Sequence, residues 1–514
     1  MERVEWTKYV ALYDGANAPR VVQQLCDENA LELATVGTVA TTVLHVLHQQ
    51  QKAQAYVAPA SVQHSDAEER DAHEKRSRQA SGVVSAVIAH GLLHDENPLV
   101  NLFDVDAYRA RLENLHAAFP EKEFNHAVAI KSNPVRGILR EAQRLGCGAE
   151  CASYAEAKHS LSLGFAPRSV VYDSPCKTRG ELKEMLLAGV FINLDNEQEI
   201  GKLQSIFAEI GEGHDYEAQI GMRINPVVGG GSIDATSTAT VTSKFGLPWT
   251  DETSERLFGL YEANPWLQGV HVHVGSQGCP IDLLVAGAKR AVLFAVELNR
   301  RVGRQQIKVV DIGGGLPTVY DGGIEEAYDF KVYADAIRAQ VPELFTSGFS
   351  TIITEFGRAI FVKPGITVSK VEAVKNWSGQ NIAVIHAGAD HFPRTAYLPH
   401  LWTHSVSVLD SQGRVKPASV PYVRQDIAGP LCFSGDFMAK QVLLPQIEVG
   451  DLVVIHDTGG YTFSTFSKYN SRQAASYYAH TGVDGASFKF SVLKERETAE
   501  ETLAFWGLDR AIEF

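Results

Sequence analysis

Residues 125–134 read NHAVAIKSNP. The run Ala127–Ile130 is uninterruptedly apolar, the pattern of a buried strand, yet it delivers Lys131, a side chain reluctant to be buried, at its far end. Working outward from this strand, short β-rich runs alternate with amphipathic helical patterns. The candidate strands are 124–131, 147–151, 169–173, 190–194, 217–224, 267–274, 307–312 and 351–355. Between them lie helical segments at 135–145, 155–163, 179–188, 197–210, 281–301 and 326–340. Eight strand–helix units over roughly 250 residues predict an α/β fold built on a (β/α)8 TIM barrel.

Several strands stop at a polar or glycine-rich element: Lys131, Arg223 in RINP, His271 and His273 in HVHVGS, Gly313-Gly314-Gly315 in DIGGGLP, and Glu355 with Arg358 in EFGR. In a barrel these ends share one rim, where active sites are built. After about residue 370 the pattern becomes β runs without regular helices, at 366–374, 381–386, 402–409, 452–456 and 486–493, which predicts a separate β-barrel or sandwich domain. The division expected is an N-terminal extension (1–95), a joining strand and helix (96–120), the barrel (121–370) and the β domain (371–514). A strand at 98–104 is expected to join that β domain, ahead of a helix at 105–119. The first 95 residues suggest a helix near 20–31, an apolar run to Leu47, and a charged stretch at 63–78 that reads as an exposed helix or linker.

The formal charge of −14 argues against nucleic acid or an anionic membrane as partner, since both favour a basic face. No basic region followed by an apolar core opens the chain, and the apolar run 33–47 is shorter than the roughly 20 residues a bilayer needs. Six scattered cysteines suit a reducing, cytoplasmic setting. Cys147 and Cys151 lack a second pair at zinc spacing, so no metal is expected. A small molecule is the expected partner.

Lys131 carries the chemical question. Enclosed in a pocket, a lysine is expected to have a depressed pKa and to act as an amine nucleophile toward an aldehyde. An aldehyde cofactor bearing a phosphate needs an anion cradle, and the backbone N–H groups of Gly313, Gly314 and Gly315 offer one at a strand end.

Lys131 in AIKSNP, together with GVHVHVGSQ (269–277), DIGGGLP (311–317), EFGR (355–358), CFSGD (432–436) and GGYTFSTFSKYNSR (459–472), resembles the alanine-racemase-fold (fold type III) pyridoxal-phosphate decarboxylases. The resemblance is greatest to the diaminopimelate decarboxylases. It implies that Lys131 holds pyridoxal 5'-phosphate, that His273 stacks on its ring, and that Glu355 keeps the ring nitrogen protonated. Ser276, Gly313, Gly314, Gly315, Arg358 and Tyr461 surround the phosphate on this reading; Glu150, Asp173 and Arg223, also at strand ends, are candidates to orient the lysine or the ring, Arg223 foremost. His271 is read as structural. The resemblance further implies a homodimer with shared active sites, Cys432 and Asp436 entering from the second subunit and Cys432 acting as a proton donor.

Three departures bear on the substrate, for which Arg358, Arg394, Phe433, Asp436 and Tyr461 are the candidate contacts. Phe433 stands where the family has a glutamate that binds a distal ammonium. Phe356 replaces a proline, an apolar change expected beside the cofactor. Arg394 survives from the family's Arg-Pro-x-Leu-Tyr, with the tyrosine shifted by one to Tyr397. An arginine without the opposing acid fits a substrate with a distal carboxylate, carboxamide or larger conjugated group, a derivatised or carboxylate-bearing amino acid rather than diaminopimelate. The alternatives are a lysine-, ornithine- or diaminopimelate-type decarboxylase, a racemase of the same fold, and a non-catalytic homologue; Glu355 opposes the racemase, and retention of Lys131, Glu355 and Cys432 opposes the last.

Overall fold

The computed structural model describes residues 18–28, 65–211, 218–322, 329–482 and 487–507. The chain divides into two units, 1–69 and 70–514. In the first, the helix Ala18–Glu28 buries Val21, Val22, Leu25 and Cys26 along one face. The apolar run ending at Leu47 lies outside the described residues.

The second unit holds both the barrel and the β domain. Strand β1 (Leu99–Asp104) comes first, and Asp104 caps the helix that follows, Val105–Ala118, by accepting from the amides of Asp106 and Ala107. Eight parallel strands then close a barrel: β2 (Phe124–Ala129), β3 (Gly148–Cys151), β4 (Val170–Tyr172), β5 (Phe191–Leu194), β6 (Ile220–Asn225), β8 (Leu267–His271), β9 (Val309–Asp311) and β10 (Thr351–Thr354). A two-residue strand, β7 (Leu247–Pro248), pairs with β6 outside the ring. Pairing of β5 with β6 and of β10 with β2 completes the closure. The helix Ser254–Ala263, ahead of β8, went unread in the sequence.

Side-chain volume inside the barrel is distributed by size. Ala127, Val171, Phe191, Val309 and Ile353 meet there. Phe191 points at Gly221 and Gly269, where an added Cβ would lie 3.0 and 2.8 Å from its ring, so both neighbours are glycine because the phenyl ring takes their space. A far larger apolar layer lies between the strands and the surrounding helices.

The β domain is a nine-stranded curled sheet. β1 lies inside it, antiparallel to β11 (Gly365–Trp377) and parallel to β17 (Ser476–Thr481). β12 (Gln380–Ile385), β13 (Val406–Leu409), β16 (Leu452–Ile455) and β18 (Lys489–Lys494) fall on or beside expected runs, whereas β14 (Tyr422–Ala428), β15 (Phe437–Pro445) and β17 were not anticipated. Glutamine, aspartate and lysine interrupt the apolar alternation of β14 and β15, and tyrosine and histidine dilute it in β17.

The charged stretch at 63–78 is an exposed helix rather than a linker: over its described residues, 65–78, only His73 and Ser77 are buried. It begins a 24-residue helix, Asp66–Ala89, with buried His73, Ser77, Ala80, Val84 and Val87 forming one stripe. His73 Nδ1 lies 3.0 Å from the Tyr422 hydroxyl, and Val408 N–H donates to its Nε2 at 3.1 Å. Histidine and serine satisfied by hydrogen bonds can be buried, which a count of apolar residues does not detect. Among the described residues no helix is long and apolar enough to cross a membrane.

Candidate active site

The barrel strands carry Lys131, Glu150, Asp173, Arg223, His271, His273, Asp311 and Glu355 on or just beyond their C-terminal ends. Lys131 sits in a single 3-10 turn, Ile130–Ser132, directly after β2. Its ammonium donates to both oxygens of Glu150, at 2.7 and 2.6 Å. The depressed pKa expected for Lys131 is not found. Burial does push it down, but Glu150, followed by Asp173, Tyr461 and Glu355, outweighs burial and holds the amine above its ordinary value. Glu150 itself is pushed well up by burial, against the pull of Lys131.

Glu355 follows β10 and is 3% exposed. Its neighbours are the two histidines rather than Arg358: His271 Nε2 is 3.3 Å and His273 Nδ1 3.6 Å from Oε2. Burial would raise this carboxyl, yet the histidines keep it well below the usual range, so it stays ionised. Neither carboxylate oxygen has a hydrogen-bond partner, and both nitrogens of fully buried His271 are likewise unpartnered. His271 therefore belongs to the site. Asp173, His271 and Glu355 each bring a donor atom within 4.8 Å of the others.

The glycine turn lies beside them. Gly313 and Gly315 have φ of +69° and +100°, and a Cβ on Gly314 would lie 2.1 Å from the Glu355 carbonyl oxygen. Only glycine lets the backbone approach this closely. Gly314 N–H faces His273 Nδ1 at 3.3 Å. The loop 229–243 is tied to the same segment: Thr238 Oγ1 donates to the His273 carbonyl at 2.5 Å, and Ser276 N–H to the Thr236 carbonyl at 3.0 Å. Arg223 is buried with its guanidinium over Phe245, 4.4 Å from the ring centroid; burial lowers the pKa of His273, against the pull of Glu355, and the Arg223 charge adds to the lowering.

Arg358, 4% exposed, donates through Nε and Nη2 to Ser276 Oγ at 3.3 and 3.4 Å, and through Nη1 to the Tyr320 hydroxyl. It lies 4.3 Å from the Tyr461 ring centroid and 5.0 Å from that of Trp402. Arg394 joins the same aromatics, at 4.9 Å from Tyr461 and 5.1 Å from Trp402. Its Nη1 is buried without a hydrogen-bond partner, and burial, then repulsion from Arg358, lowers its pKa. Among the described residues no carboxylate pairs with Arg358 or Arg394. Tyr461 holds φ of +59° while its N–H donates to the Ser132 carbonyl at 2.9 Å, which joins the β domain to the residue after Lys131.

Other candidates fall elsewhere. Cys432 is exposed, and its backbone bonds Asn470 and Tyr469. Phe433 packs on Tyr397 with ring centroids 5.0 Å apart. Asp436 is buried, and its oxygens accept from Ala389 N–H at 2.6 Å and Leu431 N–H at 2.8 Å, so within its own chain it braces its loop. Phe356 likewise does not face the cofactor position; it is buried against Phe330 and Tyr333, on the helix side of the barrel. Tyr320 was missed because no spacing rule marks it, and Trp402 was visible only as one aromatic in a rich stretch.

A lysine at a strand end, a glycine turn beside an arginine, and a buried carboxylate between two histidines at a barrel mouth are the groups an enzyme of the pyridoxal-phosphate class requires. The residues fit the cofactor, because the bare Glu355 oxygens want a proton donor such as a pyridinium, and the glycine amides and Arg358 want an anion. The chain belongs to the pyridoxal-dependent decarboxylases: the family's pyridoxal-binding domain matches residues 105–362. It is 29% identical to diaminopimelate decarboxylase of Vibrio cholerae over 424 residues, 80% of this chain and 94% of that one. Identity to the Pseudomonas aeruginosa enzyme of the same name is 30% over 404 residues, 77% of this chain and 90% of that one. The crystal structure of Helicobacter pylori diaminopimelate decarboxylase complexed with L-lysine superposes with a TM-score of 0.70 at 25% identity, covering 81% of this chain and 98% of that one. The protein is thus a pyridoxal-phosphate-dependent amino-acid decarboxylase.

Proposed function

We propose that this enzyme decarboxylates an amino acid whose far end carries a carboxylate and no ammonium. The observation that carries this is Arg394, whose guanidinium has a buried, unpartnered nitrogen and no acid beside it. A cation so placed gains most from an anion that binds both arms of the fork. At the other end of the recognition motif, Phe433 offers a ring where an ammonium would need a charge.

In this reading Lys131 holds the cofactor through its ε-amine, and Glu150 orients that amine. Ser276, the three glycines, Arg358 and Tyr461 hold the phosphate. His273 lies along the ring, Arg223 supports it, and Glu355, kept ionised by the histidines, holds a proton on the ring nitrogen. Pyridoxal phosphate, when bound, supplies a protonated ring that takes up the electron pair left as the α-carboxylate departs as carbon dioxide. Cys432 from a second copy returns a proton to the α-carbon, so the working form is a homodimer with shared sites.

The test is carbon dioxide release from a panel: 2-aminoadipate and 2-aminopimelate against meso-diaminopimelate, lysine, ornithine and arginine. The dicarboxylates are expected to lead in kcat/KM, and Arg394→Met is expected to lower their kcat/KM by about tenfold or more, the loss of a charge-assisted bond. A lead for lysine or ornithine sinks the proposal. A second reading, meso-diaminopimelate itself, is favoured by the names of the relatives and opposed by Phe433. Borohydride reduction of the cofactor-loaded protein, followed by peptide mass mapping, is expected to place the adduct on Lys131.

A further inference from the structure

The segment that leaves the glycine turn passes Tyr320, Asp321 and Gly322, and contacts from separate parts of the fold fix it. Gln277 brackets Thr318, donating to its carbonyl at 2.6 Å and accepting from its N–H at 3.0 Å. Ser405 Oγ donates to the Tyr320 carbonyl at 3.1 Å, and Gly322 N–H donates to Asp457 Oδ2 at 2.7 Å. Lys363 Nζ lies 2.9 Å from Asp321 Oδ1, and Arg76 Nη1, from the helix Asp66–Ala89, donates to the Asp321 carbonyl at 3.3 Å. The Tyr320 ring stands edge-on to His404 and Trp402, with centroids 5.2 and 6.2 Å away. What emerges is a hydroxyl held in one place, and it accepts from Arg358.

We propose that Tyr320 is a positioning residue that sets the direction of the Arg358 guanidinium, and that the helix Asp66–Ala89, through Arg76, is part of this support. A guanidinium presents its donors in a rigid fork. With Nη1 committed to Tyr320, the Nε and Nη2 edge faces Ser276 and any anion beside it. Without that bond the arginine samples other rotamers, and each binding event bears the cost of ordering it. The inference rests on the reading of Arg358 as an anion ligand given above.

The test uses the full-length holoenzyme and four variants: Tyr320→Phe, Arg76→Ala, Arg76→Lys and, to check the underlying reading, Arg358→Lys. KM and kcat are measured separately, together with the cofactor dissociation constant by equilibrium dialysis and the thermal unfolding midpoint. Tyr320→Phe keeps the ring contacts and removes only the hydroxyl, so KM or the cofactor constant is expected to rise about tenfold, with kcat within about twofold and the midpoint unchanged. Arg76→Ala is expected to move the same constant about threefold in the same direction, and Arg76→Lys to recover part of it. If Arg358→Lys raises these constants while Tyr320→Phe and Arg76→Ala leave them at the parent values, the proposal is overturned. It is also overturned if those two variants lower kcat in proportion to lost folded protein. If Arg358→Lys changes neither constant, the anion-ligand reading of Arg358 fails first and the proposal falls with it.

Discussion

Lys131 and Glu150 form a two-pronged ion pair, the ammonium reaching both carboxylate oxygens at 2.7 and 2.6 Å, and Glu150 has no exposed surface. The pair keeps the amine protonated, and a protonated amine cannot attack an aldehyde. Capture of the cofactor therefore waits on proton loss from a lysine held above its usual value. The rate at which protein stripped of cofactor develops the bound-cofactor absorbance is expected to rise with pH. Glu150→Gln removes the strongest upward pull while burial still pushes down, so the pKa falls and capture at neutral pH speeds up, tenfold for each unit lowered. An unchanged or slower capture in this variant counts against the account of the pair.

Phe433 bears on substrate choice. Phe433→Glu places a carboxylate next to Tyr397, where this chain has a ring contact. It is expected to raise kcat/KM for meso-diaminopimelate by about tenfold or more relative to 2-aminopimelate, the size of one charged hydrogen bond. Steady-state kinetics on both substrates decide it, and an unaltered ratio removes Phe433 from the specificity argument.

Acid should destabilise this protein well above the range where carboxylates titrate. Burial holds His73, His126 and His456 down to about 3 and His404 down to about 4. In the unfolded chain each titrates near 6.5, so between that pH and about 3 to 4 the unfolded state binds protons that the native state refuses. Stability is therefore complete above about pH 6.5 and falls on acidification, by about 1.4 kcal/mol per pH unit for each histidine. Asp457, pushed up to about 6 by burial, acts in the opposite sense between about pH 4 and 6, as do Glu150, Asp311, Glu156 and Asp436, which burial also raises; His116, His273, His386 and His480, which burial lowers, add to the histidine side. Denaturant midpoints measured from pH 7.5 to 5 should fall, and His456→Gln should flatten the slope.

Phe356 stabilises the barrel's outer layer. Its ring is buried, with centroids 5.1 Å from Phe330 and 5.8 Å from Tyr333. Phe356→Ala should lower the unfolding free energy by about 3–5 kcal/mol, the usual result of emptying an aromatic site. Equilibrium denaturation is the measurement, and a loss below about 1 kcal/mol contradicts the packing described.

The barrel was legible because its strands are apolar, regularly spaced and closed by helices of readable period, and local composition carries all of that. Lys131, Glu355, Arg358 and the three glycines were legible for a related reason: each lies within four residues of the end of a buried strand, and strand ends in this architecture share a rim. Strands β14, β15 and β17 were hidden because polar residues interrupt the period of two, and the buried stripe of the Asp66–Ala89 helix was missed because it begins with histidine and serine.

The alternation of apolar runs along the chain was enough to specify a barrel and the rim on which its chemistry stands, since periodicity and strand order are properties of neighbouring residues. The ion pair of Lys131 with Glu150, the packing of Phe356 on Phe330 and Tyr333, the approach of His271 to Glu355 and the pairing of Arg358 with Tyr320 were settled by folding alone. Each depends on charges or rings brought together from distant parts of the chain, where burial strengthens electrostatic interactions and space for side chains is shared.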